Sequence, residues 1–288
     1  MYAGTILSRQ LSNWDILCKL DLSLLEQIVI LKVFGFGTGA IFVTSRDDVF
    51  KIGDYFLDDV TKNKALSVSQ VEELCGKKVI KFDSGHSHLV ALTKDGHVFT
   101  CGRNFRGQLG TGDTIDRSEF LTVKIPEGEN VADVVCSSNS TVLLTRSGKV
   151  FTWIHSYKQI SKGGPNRFKE LVLLICLDFP DGVTISTLAC GSDHMAALSK
   201  TGQVYAWGCN YHGCLGVKSH LAILQKPKLV LGLNRVTKIA CGMYYTVVLT
   251  SGGKVRLWGS LWGLMPHFSG RTVATSPIQI KELQRDHS

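Results

Sequence analysis

The sequence predicts an all-β protein, a β-propeller of about five recognisable four-stranded blades. The first observation is a repeat whose closing positions, 53, 102, 154, 208 and 259, lie 49 to 54 residues apart. The second is a short apolar run in each repeat, and the third is a tight hairpin turn directly after that run. A period of this size is typical of propellers and solenoids, because one unit cannot bury its own apolar face. A solenoid of strands is the alternative architecture.

Each repeat begins with a run of small apolar residues, such as LVALT at 89–93 and MAALS at 195–199. Such a run suits a strand that is buried on both sides, near a common axis. A turn follows in which glycine accepts the positive φ of a tight hairpin. The turns are Lys94–His97, Arg146–Lys149, Lys200–Gln203 and Ser251–Lys254. An aromatic return strand, such as 204–208, and a second glycine-bracketed turn, as at 104–110 and 210–216, complete four strands.

Residues 1–34 precede the repeats and are predicted to form a short helical lead-in. The apolar stretch Leu20–Phe34 carries three charged residues, which favours an amphipathic helix over a membrane span. The N-terminus also lacks the features of a signal peptide, so we expect the protein in the cytoplasm or the nucleus. The repeats fill residues 35–288, in units of approximately 35–80, 81–132, 133–186, 187–237 and 238–288.

The net charge of +8 is concentrated in the C-terminal third of the chain. Residues 1–193 carry 21 Lys and Arg against 22 Asp and Glu, whereas no Asp or Glu occurs between His194 and Lys281. This asymmetry predicts a basic surface for an acidic partner or for chromatin, and a solvated basic rim is the alternative. The candidate basic residues are Lys218, Lys226, Lys228, Arg235 and Lys238.

The nine cysteines do not form the pattern of a disulfide framework. Cys136, Cys190 and Cys241 occupy the same slot of successive repeats, so they lie at equivalent points of different units and cannot all pair. We therefore expect small buried thiols in a reducing compartment.

Three motifs of the fourth repeat, Cys190–His194, Gln203–Gly208 and Asn210–Gly216, resemble the regulator of chromosome condensation (RCC1-type) repeat family. The resemblance covers residues 35–288 and implies a propeller of seven blades. With about five repeats, either the ring is open or rebuilt, or the chain is a fragment or shortened isoform. The segment Leu74–Lys78 and the N-terminal helix resemble the branch that joins this propeller to a BTB domain. The third repeat departs from the pattern, since Ile154 replaces the closing glycine and the second turn is lost.

Two motifs resemble metal or catalytic sites, and the repeat explains both. Cys209, His212 and Cys214 have zinc-like residue types, but they lack a fourth ligand, and the equivalent turn of the second repeat contains no ligands. His88 and His194 fill one recurring slot, which favours a buried hydrogen-bonding role. We therefore expect no metal, no cofactor and no nucleophilic catalysis.

The remaining candidates are variable residues in the loops that open each repeated strand. Loops at equivalent positions share one face of a propeller and commonly carry binding residues. The candidates are His86, Ser87, Ser138, Asn139, Ser192, Asp193, Met243 and Tyr244. The resemblance implies that such loops contact a small GTPase and help to expel its nucleotide, with Asp193 in a matching context. An Asx turn that holds the loop is the alternative role of Asp193.

These observations predict a non-enzymatic interaction scaffold that binds a protein partner through the loop face. The resemblance to the BTB-linked branch adds a role as an adaptor, including for ubiquitin ligases. Guanine-nucleotide exchange on a Ran-like small GTPase is the first alternative, and chromatin binding through the basic C-terminal blades is the second. Nucleic-acid binding through basic residues would weaken steeply with added salt.

Overall fold

The computed structural model of the chain describes residues 16–17, 20–35, 38–53, 67–159, 168–219, 221–260 and 273–280. Along 154–159 and 168–171 it describes the backbone alone. The chain divides into two compact units. The first unit is Met1–Pro126 with His155–Val172, and the second is Glu127–Ile154 with Leu173–Ser288.

The first unit contains two antiparallel sheets of four strands, in which neighbouring strands are consecutive in the chain. The first sheet comprises β1 (Ile28–Phe34), β2 (Gly39–Thr44), β3 (Val49–Ile52) and β4 (Val68–Gln70). The second comprises β5 (Val79–Ser84), β6 (His88–Thr93), β7 (Val98–Gly102) and β8 (Arg117–Thr122). A single 3-10 turn, Glu72–Leu74, connects the two sheets.

Three further sheets have the same order. The third sheet comprises β9 (Val131–Cys136), β10 (Thr141–Thr145), β11 (Val150–Gln159) and β12 (Phe168–Cys176). The fourth comprises β13 (Ile185–Cys190), β14 (His194–Ser199), β15 (Val204–Cys209) and β16 (Ile223–Leu229). The fifth comprises β17 (Val236–Cys241), β18 (Tyr245–Thr250), β19 (Val255–Ser260) and β20 (Val273–Gln279).

Five four-stranded sheets confirm the all-β propeller that the repeat predicted. The small apolar run of each repeat is the second strand of its sheet rather than the edge, because the segment before the loop supplies a first strand. This position explains why β6 and β10 are buried along their whole length. The glycine at the third position of each predicted hairpin turn has positive φ, including Gly96 at 83° and Gly202 at 84°.

The segment Leu20–Phe34 is not a continuous helix, so that expectation is wrong. The helix α1 covers Leu22–Leu25 alone, and strand β1 begins at Ile28, inside the region assigned to the helical lead-in. The physical reason is the run IVILKVF, whose β-branched residues favour a strand. The short helix still has a packing role, because Leu25 and the preceding Leu17 belong to the same buried apolar cluster as Phe42 of the first sheet.

The third sheet differs from its neighbours where the sequence departs from the repeat. Strands β11 and β12 have 10 and 9 residues, compared with 5 to 7 for their counterparts in the second and fourth sheets. The lost glycine-bracketed turn thus coincides with a longer hairpin. Residues 160–167, within the irregular segment after Ile154, lie outside the described residues.

Candidate partner-binding site

Three consecutive candidate loops of the second unit are joined to one another by backbone hydrogen bonds. The Ser138 amide donates to the Ser192 carbonyl at 2.7 Å, and the Ser192 amide donates to the Met243 carbonyl at 3.1 Å. We call these loops, Ser137–Ser140, Gly191–His194 and Gly242–Tyr245, the loop platform. The bonds fix the loops of the third, fourth and fifth blades relative to one another.

The closing glycine of the repeat is explained by the path of these loops. The carbonyl oxygen of Asp193 accepts a hydrogen bond from the amide of Cys209 at 2.7 Å, directly beside Gly208. A Cβ on Gly208 would lie 2.6 Å from that oxygen, and one on Gly259 would lie 2.3 Å from the carbonyl of Tyr244. Both glycines also have φ of at least 100°. The repeat therefore keeps glycine where the loop crosses the return strand.

The side chains of the loop platform differ in exposure. Asp193, Met243 and Tyr244 are exposed, and Ser192 is partly buried. Ser138 and Asn139 in the third blade are also partly buried. The fourth and fifth blades therefore present most of the accessible surface of the platform.

The remaining candidate loop belongs to the first unit and has the same local geometry. The Gly85 amide donates to the His88 carbonyl at 3.0 Å, and the Arg103 amide donates to the Ser87 carbonyl at 2.8 Å. His86 is exposed and Ser87 is partly buried. The same hydrogen-bond pattern thus recurs in the second, fourth and fifth blades.

Asp193 has the exposed carboxylate of the loop platform. Its backbone carbonyl holds the loop against Cys209, whereas no donor among the described residues forms a hydrogen bond to its side chain. The Asx turn considered as its alternative role is thus not seen in the described part of the chain.

Below the loops, His194 belongs to a buried hydrogen-bond network between the fourth and fifth blades. Its Nε2 lies 3.0 Å from the Thr246 hydroxyl, which donates to the Cys214 carbonyl at 2.9 Å. The Trp258 indole donates to the same carbonyl at 2.8 Å, and the Cys241 thiol lies 3.7 Å from the hydroxyl. Burial lowers the pKa of His194 to about 4, so it is neutral at physiological pH. The role of His194 is therefore structural.

The zinc-like motif has its own local contacts. Cys214 is buried and its thiol donates to the carbonyl of Cys209 at 3.0 Å, while burial raises its pKa to about 12. His212 instead packs against the ring of Tyr244, with 4.4 Å between ring centroids. Within the described ranges, no group of three or more His, Cys, Asp and Glu side chains has a metal-binding arrangement.

The candidate basic residues fall into two groups. Lys218, Lys226 and Lys228 lie on or before β16, the last strand of the fourth sheet, and the Lys228 ammonium donates to the Lys218 carbonyl at 3.4 Å. Arg235 and Lys238 lie at the start of β17, the first strand of the fifth sheet. All five side chains are exposed. β16 and β17 are edge strands of different sheets, and the basic surface of these five residues stays a prediction.

A cavity in the first unit contains none of the predicted site residues. It has a volume of about 350 Å³ and is lined on its apolar side by Phe34, Leu89 and Phe120. Lys51 and Glu73 contribute polar groups to its lining.

The described part of the chain contains no helix that is long and apolar enough to cross a membrane.

Sequence reasoning missed two exposed aromatic positions beside the loops. Phe105 and Tyr211 occupy the same place in the second glycine-bracketed turn of their blades, and both are exposed. The preceding asparagine holds each turn, as its side chain accepts from Leu109 in one and from Leu215 in the other. The sequence signal for these two positions is an aromatic residue that recurs at the tip of the second glycine-bracketed turn.

The fold and the repeated loop geometry define a propeller of regulator of chromosome condensation (RCC1) repeats, and the family comparison agrees. One sequence profile of this repeat matches residues 95–144 and 201–249, and a second matches residues 79–108 and 185–214. These repeats of the chain belong to the RCC1 repeat family.

Two relatives and two solved structures show the extent of the similarity. Human E3 ubiquitin-protein ligase HERC2 is 30% identical over 230 residues, which cover 77% of this chain and 5% of HERC2. The Arabidopsis thaliana ultraviolet-B receptor UVR8 is 30% identical over 190 residues, or 65% of this chain and 42% of UVR8. The chain therefore spans less than half of either relative.

Human WBSCR16 has a TM-score of 0.66 with 22% identity, covering 84% of this chain and 65% of WBSCR16. Saccharomyces cerevisiae Prp20p, described with its binding properties to Gsp1p and histones, has a TM-score of 0.69 with 18% identity. That alignment covers 88% of this chain and 63% of Prp20p. At these identities the structures establish the shared fold.

Proposed function

We propose that the chain is a non-enzymatic interaction scaffold that binds a protein partner through the loop platform. The observation that carries this proposal is the backbone bonding of Ser138 to Ser192 and of Ser192 to Met243. These hydrogen bonds hold exposed, variable side chains on a rigid support, which is the usual arrangement of a binding surface. The exposed loop of the first unit, with His86 and Ser87, is a second contact region.

The titratable groups support a binding role over catalysis. Burial lowers the pKa of His88 and of His194 to about 4 and raises the pKa of Cys214 and of Cys241 to about 12. Burial thus favours neutral imidazoles and protonated thiols, and a protonated thiol is the opposite of an activated nucleophile.

A role as an adaptor for a ubiquitin ligase is a finer form of this proposal. It is supported by the similarity of the chain to part of HERC2, which is an E3 ubiquitin-protein ligase. The resemblance of Leu74–Lys78 to the BTB-linked branch also supports an adaptor role. In such a role the propeller would select the protein that is brought to the ligase.

Site-specific photo-crosslinking tests the scaffold proposal. Benzoylphenylalanine would replace Asp193 or His86 in the full chain, and a matched variant would carry it at Ile115, an exposed residue outside the loops. After irradiation in a cell lysate, we expect discrete protein adducts from the loop positions and none from the control. Adducts of equal yield at all three positions, or none at the loops, would contradict the proposal.

Nucleotide exchange on a small GTPase is the second candidate function, and the exposed carboxylate of Asp193 favours it. Prp20p, whose fold is shared, was described with its binding to Gsp1p.

Chromatin binding is the third candidate, favoured by the exposed Lys226 and Lys228 and by the histones named for Prp20p. The nucleotide-release rate of a Ran-like GTPase and the salt dependence of histone binding distinguish these candidates from the scaffold.

A further inference from the structure

Beside the loop platform, the second unit exposes large apolar side chains at adjoining positions. Tyr211 is 72% exposed, and Met243 and Tyr244 are 51% and 40% exposed. Leu221 and Ile223 are 63% and 58% exposed. We call Tyr211, His212, Leu221, Ile223, Met243 and Tyr244 the aromatic patch.

Backbone and ring contacts hold the members of the aromatic patch together. The Asn210 amide donates to the Ala222 carbonyl at 2.7 Å, which places Leu221 and Ile223 alongside the turn that carries Tyr211. His212, next in that turn, packs against the Tyr244 ring with 4.4 Å between centroids. The patch therefore continues from the start of β16 to the loop of the fifth blade.

Rigid aromatic side chains and methionine are the residue types that carry binding energy in protein interfaces. Tyr211 lies at the tip of a turn that is fastened twice, through the Asn210 amide and through the Asn210 side chain, which accepts from Leu215 at 3.2 Å. Little conformational entropy is then lost when a partner covers this turn. An exposed apolar cluster of this kind typically marks an interaction site.

The charge beside the aromatic patch indicates the chemistry of the partner. Lys226 and Lys228 follow Ile223 on the same edge strand. The Lys226 ammonium lies 3.9 Å from the exposed carboxylate of Asp178, and the Lys228 ammonium reaches the carbonyl of Lys218. Between His194 and Lys281 the sequence contains no acidic residue. A partner with carboxylates beside an apolar anchor would therefore find complementary charge along β16.

We infer that the aromatic patch binds an acidic protein segment that inserts an aliphatic or aromatic side chain between Tyr211 and Ile223; this inference rests on the proposed scaffold function. A single-stranded nucleic acid would also combine negative charge with stacking. The aliphatic members Leu221, Ile223 and Met243 favour the protein segment, because they offer no stacking surface.

The test selects random peptides displayed on phage against the full chain and measures the affinity of the recovered peptides by fluorescence anisotropy. The decisive variant is Tyr211→Ser with Ile223→Ser, which leaves the loop platform intact. The matched control is Phe105→Ser, because Phe105 is 49% exposed at the equivalent position of the second blade. All three positions are exposed, so unchanged circular dichroism and thermal midpoints are expected.

We expect peptides that combine Asp or Glu with a large apolar residue, and a loss of affinity of about tenfold or more in the double variant. The Phe105→Ser control should bind as the wild type does, and Lys226→Glu with Lys228→Glu should weaken binding and reduce its salt dependence.

The inference would be overturned by peptides without acidic residues, by the recovery of no peptides, or by equal binding of the peptides to the double variant and to the wild type. Stronger binding of a fluorescent oligothymidine that requires Tyr211 would overturn it in favour of nucleic acid. Peptides that bind the double variant but fail to bind Asp193→Lys would overturn the patch while keeping the loop platform. Crosslinking at His86 and Asp193 tests the scaffold independently.

Discussion

Replacing Thr246 with valine tests the network that joins the fourth and fifth blades beneath the loop platform. The Thr246 hydroxyl is fully buried and donates its one proton to the Cys214 carbonyl. It must then accept from Nε2–H of His194, at 3.0 Å. Thr246→Val keeps nearly the same volume and removes both interactions.

The expected loss of stability depends on which hydrogen-bond partner of the Thr246 hydroxyl is left unsatisfied. The Cys214 carbonyl keeps the indole N–H of Trp258 at 2.8 Å, whereas the imidazole N–H of His194 loses its acceptor in a fully buried position. An unsatisfied buried donor costs about 1–3 kcal/mol. We therefore expect Thr246→Val to lower the free energy of unfolding by about 1–3 kcal/mol.

The assay is urea unfolding followed by tryptophan fluorescence, since Trp258 shares the network and reports its loss directly. Thr237→Val is the matched control, because the exposed Thr237 hydroxyl donates to the Leu249 carbonyl at 3.1 Å and water can replace it. The control should change the free energy by about 0.5 kcal/mol or less. Equal midpoints for the two variants would refute the buried network.

Three other changes test the packing, the repeat and the titration. Trp207→Ala should cost about 3–5 kcal/mol, because Trp207 is 2% exposed and packs edge-on against Phe179; a nearly unchanged thermal midpoint would contradict this packing. Gly208→Ala should cost about 1–3 kcal/mol in urea unfolding, since φ is 100° and the new Cβ would meet the Asp193 carbonyl; wild-type stability would refute the strain. The pKa of His194 falls from 6.5 to about 4 on folding, so its contribution to stability is complete above pH 6.5 and declines towards pH 4, by about 1.4 kcal/mol per pH unit. His194→Gln should flatten the pH dependence of the urea midpoint in that window, and an unaltered profile would exclude His194 as its source.

The repeat architecture could be predicted because its signals are local and recur five times. Hairpin glycines such as Gly202 and buried runs such as β14 each follow from a few neighbouring residues. The helix predicted for Leu20–Phe34 failed because an apolar stretch with scattered charges fits both a helix and a strand. The β-branched residues from Ile28 onwards decided in favour of β1.

The candidate site was less accessible to sequence reasoning. The loop positions follow from the repeat, and their role in binding stays a prediction. The backbone bonds between loops depend on how blades pack, which no single repeat encodes. The asparagine and glycines around Tyr211 predict a structural turn, whereas the exposure of Tyr211 depends on packing between distant segments of the chain. Likewise, neighbours in the basic stretch, such as Lys228 and Lys238, lie on edge strands of different sheets.

Nucleotide release from a Ran-like GTPase tests most directly whether this chain is a scaffold without chemistry of its own. The GTPase would be loaded with a fluorescent guanine nucleotide and mixed with the wild type, with Asp193→Ala, or with Asp178→Ala, which removes another exposed carboxylate of the same unit. The scaffold account predicts release at the intrinsic rate in all three mixtures. Acceleration by the wild type and by Asp178→Ala that Asp193→Ala abolishes would contradict it and would make the loop platform an exchange surface.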